Sequence, residues 1–278
     1  MEWLSVVLGP LSMAAGVLLL LIVLAAFIWL TGKIEGYDPI NEIVLRDNAA
    51  LGVRYALYVF AVVFALLGIF DRSQGDSGIL EFSSHALLAA LLIHLSRYLN
   101  DWLILYDFSN NREVVQEKNI AVALVEGATY VASAYVIAGA FYDWESGLWL
   151  AVVWFVIGQF LLVALGVLYR VFARGAAEAL NAHNAAVGVS LGSFLLSGGI
   201  ACGAAISGPS RGWQQDIAAV ALFISLWLAL IAAAHFLTEL VVFRSSRLSD
   251  EVMHQGNIAA ALFKAVIFVA VTLSYAHG

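Results

Sequence analysis

Eight runs of mostly apolar residues, each roughly 20 to 25 long, constrain this chain more than any other feature. At 1.5 Å of rise per residue, helices of that length cross roughly 30 Å of hydrocarbon. The runs lie near 10–31, 48–70, 80–106, 119–141, 147–170, 184–206, 216–243 and 257–276. Because 63% of the 278 residues are hydrophobic and only 12% are charged, the chain has more apolar surface than a soluble domain of its size can bury. Lipid accepts that surface without penalty. The expected fold class is an all-α integral membrane protein with eight transmembrane helices, embedded in a lipid bilayer. The third and seventh runs are interrupted by His85, His94, Arg97 and Asp101 and by His235 and Glu239. The opening flank, MEWLSVV, has no basic residues and its apolar run exceeds a signal core, so the first run reads as a retained helix. A lone Cys202 excludes an intrachain disulfide and a Cys-x-x-Cys metal site, and reads as a small packing residue.

Near the start of every second run the chain writes nearly the same phrase: EIVLRDNAALGV from Glu42, EVVQEKNIAVAL from Glu113, EALNAHNAAVGV from Glu178 and EVMHQGNIAAAL from Glu251. In each, Asn follows Glu by six residues (Asn48, Asn119, Asn184, Asn257) and Ala by eight (Ala50, Ala121, Ala186, Ala259). The Asn positions are 71, 65 and 73 residues apart, the length of two spans and two connections, which is the mark of internal duplication. Since each unit crosses twice, successive units enter from the same side and are parallel, not inverted, repeats. The segment FYDWESG, 141–147, divides the chain into two tandem four-helix domains, 1–142 and 143–278, each of two helical hairpins.

An Asn at the mouth of a span can accept hydrogen bonds from the free amides of the first helical turn. The Ala two residues on, with Gly52, Ala123, Gly188 or Ala261 two further, keeps one stripe thin enough for helices to approach closely. The phrase therefore reads first as four caps with tight packing. A sharper reading has the four Asn amides and Glu carboxylates surround a pseudo-axis as a vestibule attractive to cations.

Orientation is read from the 13 Lys and Arg. Lys33, Arg46, Arg112, Lys118, Arg170, Arg174, Arg244 and Arg247 fall on the side of the four phrases, and only Arg72 and Arg211 on the other. The richer side is expected to be cytoplasmic, with both termini outside. A net charge of −7 and the lack of a basic stretch leave no expectation of a nucleic-acid partner.

Residues 172–206, FARGAAEALNAHNAAVGVSLGSFLLSGGIACGAAI, resemble the second half of the YjfL-type inner-membrane proteins, and residues 31–50, TGKIEGYDPINEIVLRDNAA, resemble their first half. The resemblance spans the chain as two tandem copies of a four-span unit. It implies a bacterial-type inner membrane and a setting among envelope-stress systems with phage-shock-type membrane-remodelling proteins, a context and not an activity.

Ionisable residues inside spans are costly and usually face a bundle interior or water. Glu126 and Lys264 each stand seven residues beyond a repeat Asn, so they are expected to pair or to share a polar cavity between the domains. Lys264 in the last span would suit a retinal Schiff base, but a four-unit repeat argues against a seven-helix photoreceptor. His94 and His235 occupy roughly corresponding places, where facing imidazoles could hold a haem or relay protons, although hydrogen-bonded packing is the commoner role. Asp101 and Glu239 follow them and complete a candidate intramembrane polar path. No HExxH, GxSxG or metal-spaced cluster appears, so no enzyme, cofactor or metal is expected. The leading expectation is a conduit for protons or small cations. The alternative is a scaffold that recruits stress-response membrane proteins through its cytoplasmic loops.

Overall fold

The computed structural model describes residues 18, 21–22, 24–26, 28–72, 79–142, 147–244 and 246–277, of which the side chains of 69–72, 79–83 and 86 are left aside. Among the described residues every regular element is helical. They divide into two units, 1–48 and 49–278. Most of the first expected span, 10–31, lies outside the described residues.

In the first unit a short helix, α1 (Pro39–Val44), starts where Asp38 accepts from the Ile40 and Asn41 amides, with Pro at its first position, where a missing amide costs nothing. Glu42 pairs with Arg46 one turn on, at 2.8 Å, and the Asn48 amide donates to the Glu42 carbonyl.

The second unit holds α2 (Ala49–Arg72), α3 (Ile79–Leu103), a π-helical turn (Arg112–Gln116), α4 (Ile120–Ala140), α5 (Leu148–Phe172), α6 (Ala176–Asn181), α7 (Ala185–Ile206), α8 (Trp213–Val241), α9 (Leu248–Met253) and α10 (Ile258–His277). Among the described residues six of them, α2, α4, α5, α7, α8 and α10, are long and apolar enough to span a membrane. The third expected span is a helix of 25 residues, α3, which carries His85, His94, Arg97, Asn100 and Asp101.

The helices that begin at the repeated Asn residues form a row. α2 packs on α4, α4 on α7 and α7 on α10, all running the same way, and the outer helices lie over the joins: α3 on α2 and α4, α5 on α4 and α7, α8 on α7 and α10. The tightest join is α4 with α7. A Cβ on Gly188 would stand 2.6 Å from the Ala121 carbonyl oxygen, one on Gly199 2.4 Å from the Ala132 Cα, and one on Gly203 2.4 Å from the Tyr135 carbonyl oxygen. Lipid tails are as apolar as Leu, so burying Leu between these helices would give little drive for association. Backbone contact along a glycine-bearing face supplies van der Waals attraction instead. The expected domain junction at 142–143 therefore falls inside one compact unit, whose most intimate interface joins a helix from each side of it.

Candidate functional site

The repeated phrase builds a turn that recurs with small variations. A short helical element ends, one residue takes a left-handed backbone, and Asn follows, capping the long helix at Asn119, Asn184 and Asn257. The left-handed residues are Asp47 (φ 49°), Lys118 (φ 52°), His183 (φ 61°) and Gly256 (φ 63°), each immediately before its Asn. Only the last is the residue type that adopts this conformation freely. Asn119 accepts from the Ala121 and Val122 amides, Asn184 from those of Ala186 and Val187, and Asn257 from that of Ala260.

The other end of each amide ties the turns together. Asn119 Nδ2 donates to Glu113 Oε2 (3.0 Å) and to the Leu180 carbonyl of the next repeat (2.8 Å). Asn184 Nδ2 donates to the Val252 and Met253 carbonyls of the repeat after that (3.0 and 3.2 Å). Asn257, the last, donates to Glu251 Oε2 at 2.9 Å. That bond holds the Glu251 carboxyl below its ordinary range, with help from the Ser246 hydroxyl and the Gln255 amide. The motif Glu residues are thus not equivalent. The backbone amides of Asn48, Asn119 and Asn257 reach the Glu carbonyl six residues back, whereas that of Asn184 reaches Ala179, and Glu178 is left exposed. Nor do the last three turns ring a central opening. Asn119, Asn184 and Asn257 sit along the end of a row, linked head to tail.

Inside the spans two polar centres stand at matching register. In the first, Arg54 of α2 and Glu126 of α4, both buried, form an ion pair with Nε 3.3 Å from Oε2. Arg54 Nη1 also donates to Asn111 Oδ1 at 3.1 Å, which ties the pair to the π-helical turn below it. Tyr130 closes the pocket above, edge-on to Tyr58 at 5.7 Å, with its hydroxyl in the field of Glu126, Arg54 and Asp101. In the second, Lys264 of α10 donates to Ser190 Oγ of α7 at 2.8 Å, and the same oxygen lies 2.9 Å from the Tyr169 hydroxyl of α5. The ammonium rests on the Tyr169 and Phe268 rings, 5.7 and 5.2 Å from their centroids. His235 and Glu239 of α8 stand alongside, 3.9 Å apart and about one third exposed, with Lys264 in their field.

The expected pairing of Glu126 with Lys264 is corrected by this arrangement. α7 lies between α4 and α10, so each residue turns to the motif helix before its own: Glu126 to Arg54, six residues past Asn48, and Lys264 to Ser190, six past Asn184. His94 and His235 are also kept apart, since α3 packs on α2, α4 and α5, and α8 on α7 and α10. His94 stands edge-on to Tyr98 at 5.1 Å and His235 to Phe268 at 6.4 Å. No cluster of three or more His, Cys, Asp or Glu able to hold a metal occurs among the described residues.

One polar site has no counterpart among the residues expected from sequence. Asn100 of α3, Ser133 of α4 and Gln159 of α5 close a buried ring: Asn100 Nδ2 donates to Ser133 Oγ (3.2 Å), Ser133 to Gln159 Oε1 (3.0 Å), and Gln159 Nε2 back to Asn100 Oδ1. The signal was present, an isolated amide at Gln159 inside an otherwise apolar run, and a polar group at such depth calls for a partner. In the last turn of α5, Arg170 reaches the turn that follows α3, donating to Asp107 and to the Ile104 carbonyl (3.0 Å) while stacking over Tyr106.

Comparison with known proteins gives the same broad picture. Residues 3–141, and again 143–278, match the family described as Domain of Unknown Function (DUF350). A UPF0719 transmembrane protein of Aquifex aeolicus (strain VF5) is 22% identical over 236 residues, which cover 83% of this chain and 85% of that protein. No solved structure matches.

Proposed function

This chain belongs to the DUF350 family, and starting from that membership we propose that it is a multi-pass membrane protein that passes protons or small cations through its second half. The observation that carries the reading is the polar centre on α7, α8 and α10. Lys264, Ser190 and Tyr169 form a continuous donor and acceptor chain inside a span, with His235 and Glu239 partly exposed beside it. A cation passing there meets hydroxyl and imidazole groups, and Glu239 offers the carboxylate that offsets Lys264. The first-half centre is closed by its own ion pair and serves as an anchor.

The tandem arrangement of two four-span copies belongs to the same reading and is supported by the two consecutive family matches and by the common register of the polar centres. An inner-membrane location with both termini outside is supported by the eight-to-two distribution of Lys and Arg, and would fail if a cysteine placed at Ser109 were labelled from the outer face.

The test is flux in liposomes containing the purified protein, with a pH-sensitive dye inside and an imposed proton or potassium gradient. The wild type should discharge the gradient faster than empty liposomes, and Lys264→Met should lower that rate at least tenfold. A wild type no faster than empty liposomes defeats the reading, and the scaffold that recruits stress-response proteins through its loops then takes its place.

A further inference from the structure

The connection between α7 and α8, on the side of the membrane opposite the repeated phrases, folds over a cavity of about 250 Å³. Gly208 (φ 135°) and Gly212 (φ 111°) bracket the turn, with backbone angles that side chains rarely adopt. The floor is apolar, made by Trp154 of α5, Ile206 at the end of α7, and Ala219 and Val220 of α8. Trp154, Ala219 and Val220 stand about two turns inside their helices. The mouth is polar, with Ser207, Ser210, Arg211 and Asp216. Trp154 stacks on Trp213, the first residue of α8, with 5.6 Å between ring centroids, and indoles favour the boundary between hydrocarbon and headgroups. The lining is therefore graded with depth as a bilayer leaflet is, polar above and apolar below.

Hydrogen bonds within the mouth decide what a ligand has to bring. Ser207 Oγ donates to the Gly203 carbonyl at 2.7 Å and Ser210 Oγ to Asp216 Oδ2 at 2.7 Å. Each hydroxyl proton is thus used inside the protein, and the oxygens offer lone pairs alone. Asp216 Oδ1 accepts from the Arg211 amide at 3.0 Å, which fixes the carboxylate in place beside them. Two hydroxyl oxygens and a carboxylate form a cluster of acceptors. Arg211 is the cation of the lining; its side chain is exposed, and its guanidinium makes no hydrogen bond among the described residues. A ligand that suits both features is anionic at one end and rich in donor hydrogens at the other.

We propose that this cavity binds a phospholipid whose headgroup carries a primary amine, of the phosphatidylethanolamine class. The phosphate takes the Arg211 guanidinium, whose planar fork matches phosphate oxygens. The ammonium, with three donors and no acceptor, meets Asp216, Ser207 and Ser210. The glycerol and first acyl carbons rest on Trp154, Ile206, Ala219 and Val220, and because Ala219 is exposed the floor runs on into the lipid-facing surface of α8. A trimethylammonium headgroup has no hydrogen to give to the acceptors. A headgroup of net negative charge faces Asp216 with nothing to offset it.

Size and place agree with that occupant. At about 250 Å³ the cavity falls short of the roughly 300 Å³ at which sites for whole small molecules begin, so it takes a headgroup while the acyl chains stay in the bilayer. The site is separate from the Lys264 centre, since His235 and Glu239 lie toward the other end of α8, and it does not depend on the flux reading.

The experiment is native mass spectrometry of the purified protein from mixed micelles holding equal amounts of dioleoyl phosphatidylethanolamine, phosphatidylcholine and phosphatidylglycerol, whose adducts differ in mass. Wild type should retain the ethanolamine lipid over each of the others by about fivefold. Arg211→Gln, an exposed change that leaves the bonds to Asp216 in place, and Ala219→Trp, which fills the floor, should each lower that retention to the level of the choline lipid. Melting temperatures equal to that of lipid-free wild type verify that both variants fold. Glycerophosphoethanolamine, the same headgroup without chains, should not displace the lipid at equal concentration. Equal retention of the three lipids by wild type, a preference for phosphatidylglycerol, or an ethanolamine preference unchanged in both variants overturns the inference. Displacement by glycerophosphoethanolamine overturns it too, because the site then takes a soluble phosphate ester and not a lipid.

Discussion

Six residues beyond Asn48 the chain places Arg54, and six beyond Asn184 it places Ser190; seven beyond Asn119 and Asn257 stand Glu126 and Lys264. The two pairs occupy the same position between consecutive motif helices, yet one is a buried ion pair and the other an ammonium on a hydroxyl. Their surroundings differ to match. Arg54 and Glu126 lie behind Tyr58 and Tyr130, whereas Lys264 has His235 and Glu239 at a partly exposed margin. Equivalent geometry thus tolerates different chemistry when each site satisfies its own charge, a fixed pair in one half and a titratable chain in the other.

Removing a charge should separate the two centres most sharply. Glu126→Gln removes the carboxylate that faces Arg54 in a site with almost no solvent access, and should cost about 3 to 5 kcal/mol of stability. Lys264→Met leaves the Ser190 and Tyr169 hydroxyls bonded to each other and Glu239 at a partly exposed margin, and should cost less, about 1 kcal/mol. Thermal unfolding of the detergent-solubilised variants measures both. If they destabilise equally, the contrast between centres is wrong. The double variant should show the sum of the single effects within about 0.5 kcal/mol, because α7 lies between the helices that carry the two residues.

The backbone contact of α4 and α7 ranks next. Gly199→Ala introduces a methyl 2.4 Å from the Ala132 Cα and should cost roughly 1 to 3 kcal/mol by forcing the helices apart. A neutral result would mean that the row is loosely packed at its centre.

Asn119→Ala removes two amide caps, a carboxylate partner and the bond to Leu180, and should cost about 1 to 2 kcal/mol. Asn257→Ala removes one cap and the Glu251 bond and should cost about half as much. Equal losses would show that the links between repeats add nothing. The Glu251 bond also has a pH signature. Its carboxyl is held below the usual range, so the stability it contributes is present above the ordinary Glu pKa of 4.5 and lost as pH falls through the lowered value. Glu251→Gln should therefore unfold with a flatter acid profile than wild type.

The smallest effect concerns the turn. His183→Gly relieves a left-handed backbone at φ 61° and should raise stability by roughly 0.5 to 1 kcal/mol, while Gly256→Ala should lower it by a similar amount. An unchanged melting temperature in both would mean that neighbouring contacts, not the backbone preference, hold the turn.

Much of this was legible in the residues. The Asn, Ala and small-residue register predicts capped helices that approach closely, and the caps at Asn119 and Asn184 and the glycines of α7 have that form. Burial of Glu126 within a span followed from its depth beyond Asn119. Its partner did not follow, because Arg54 and Lys264 are both cations at the right height, and only the order of helices in the row chooses between them. The Asn100, Ser133 and Gln159 ring was also hidden, since its members lie on three helices and share no repeat position.

By itself the sequence determined membrane residence, because apolar length is a local property that lipid reads directly. It also determined where the motif helices begin, because a cap acts over three residues. Which helix lies beside which was decided only in the tertiary structure. With lipid available to every apolar face, hydrophobicity does not choose neighbours. That choice falls to backbone contact at Gly188, Gly199 and Gly203 and to the few polar groups that must meet, Arg54 with Glu126 and Ser190 with Lys264.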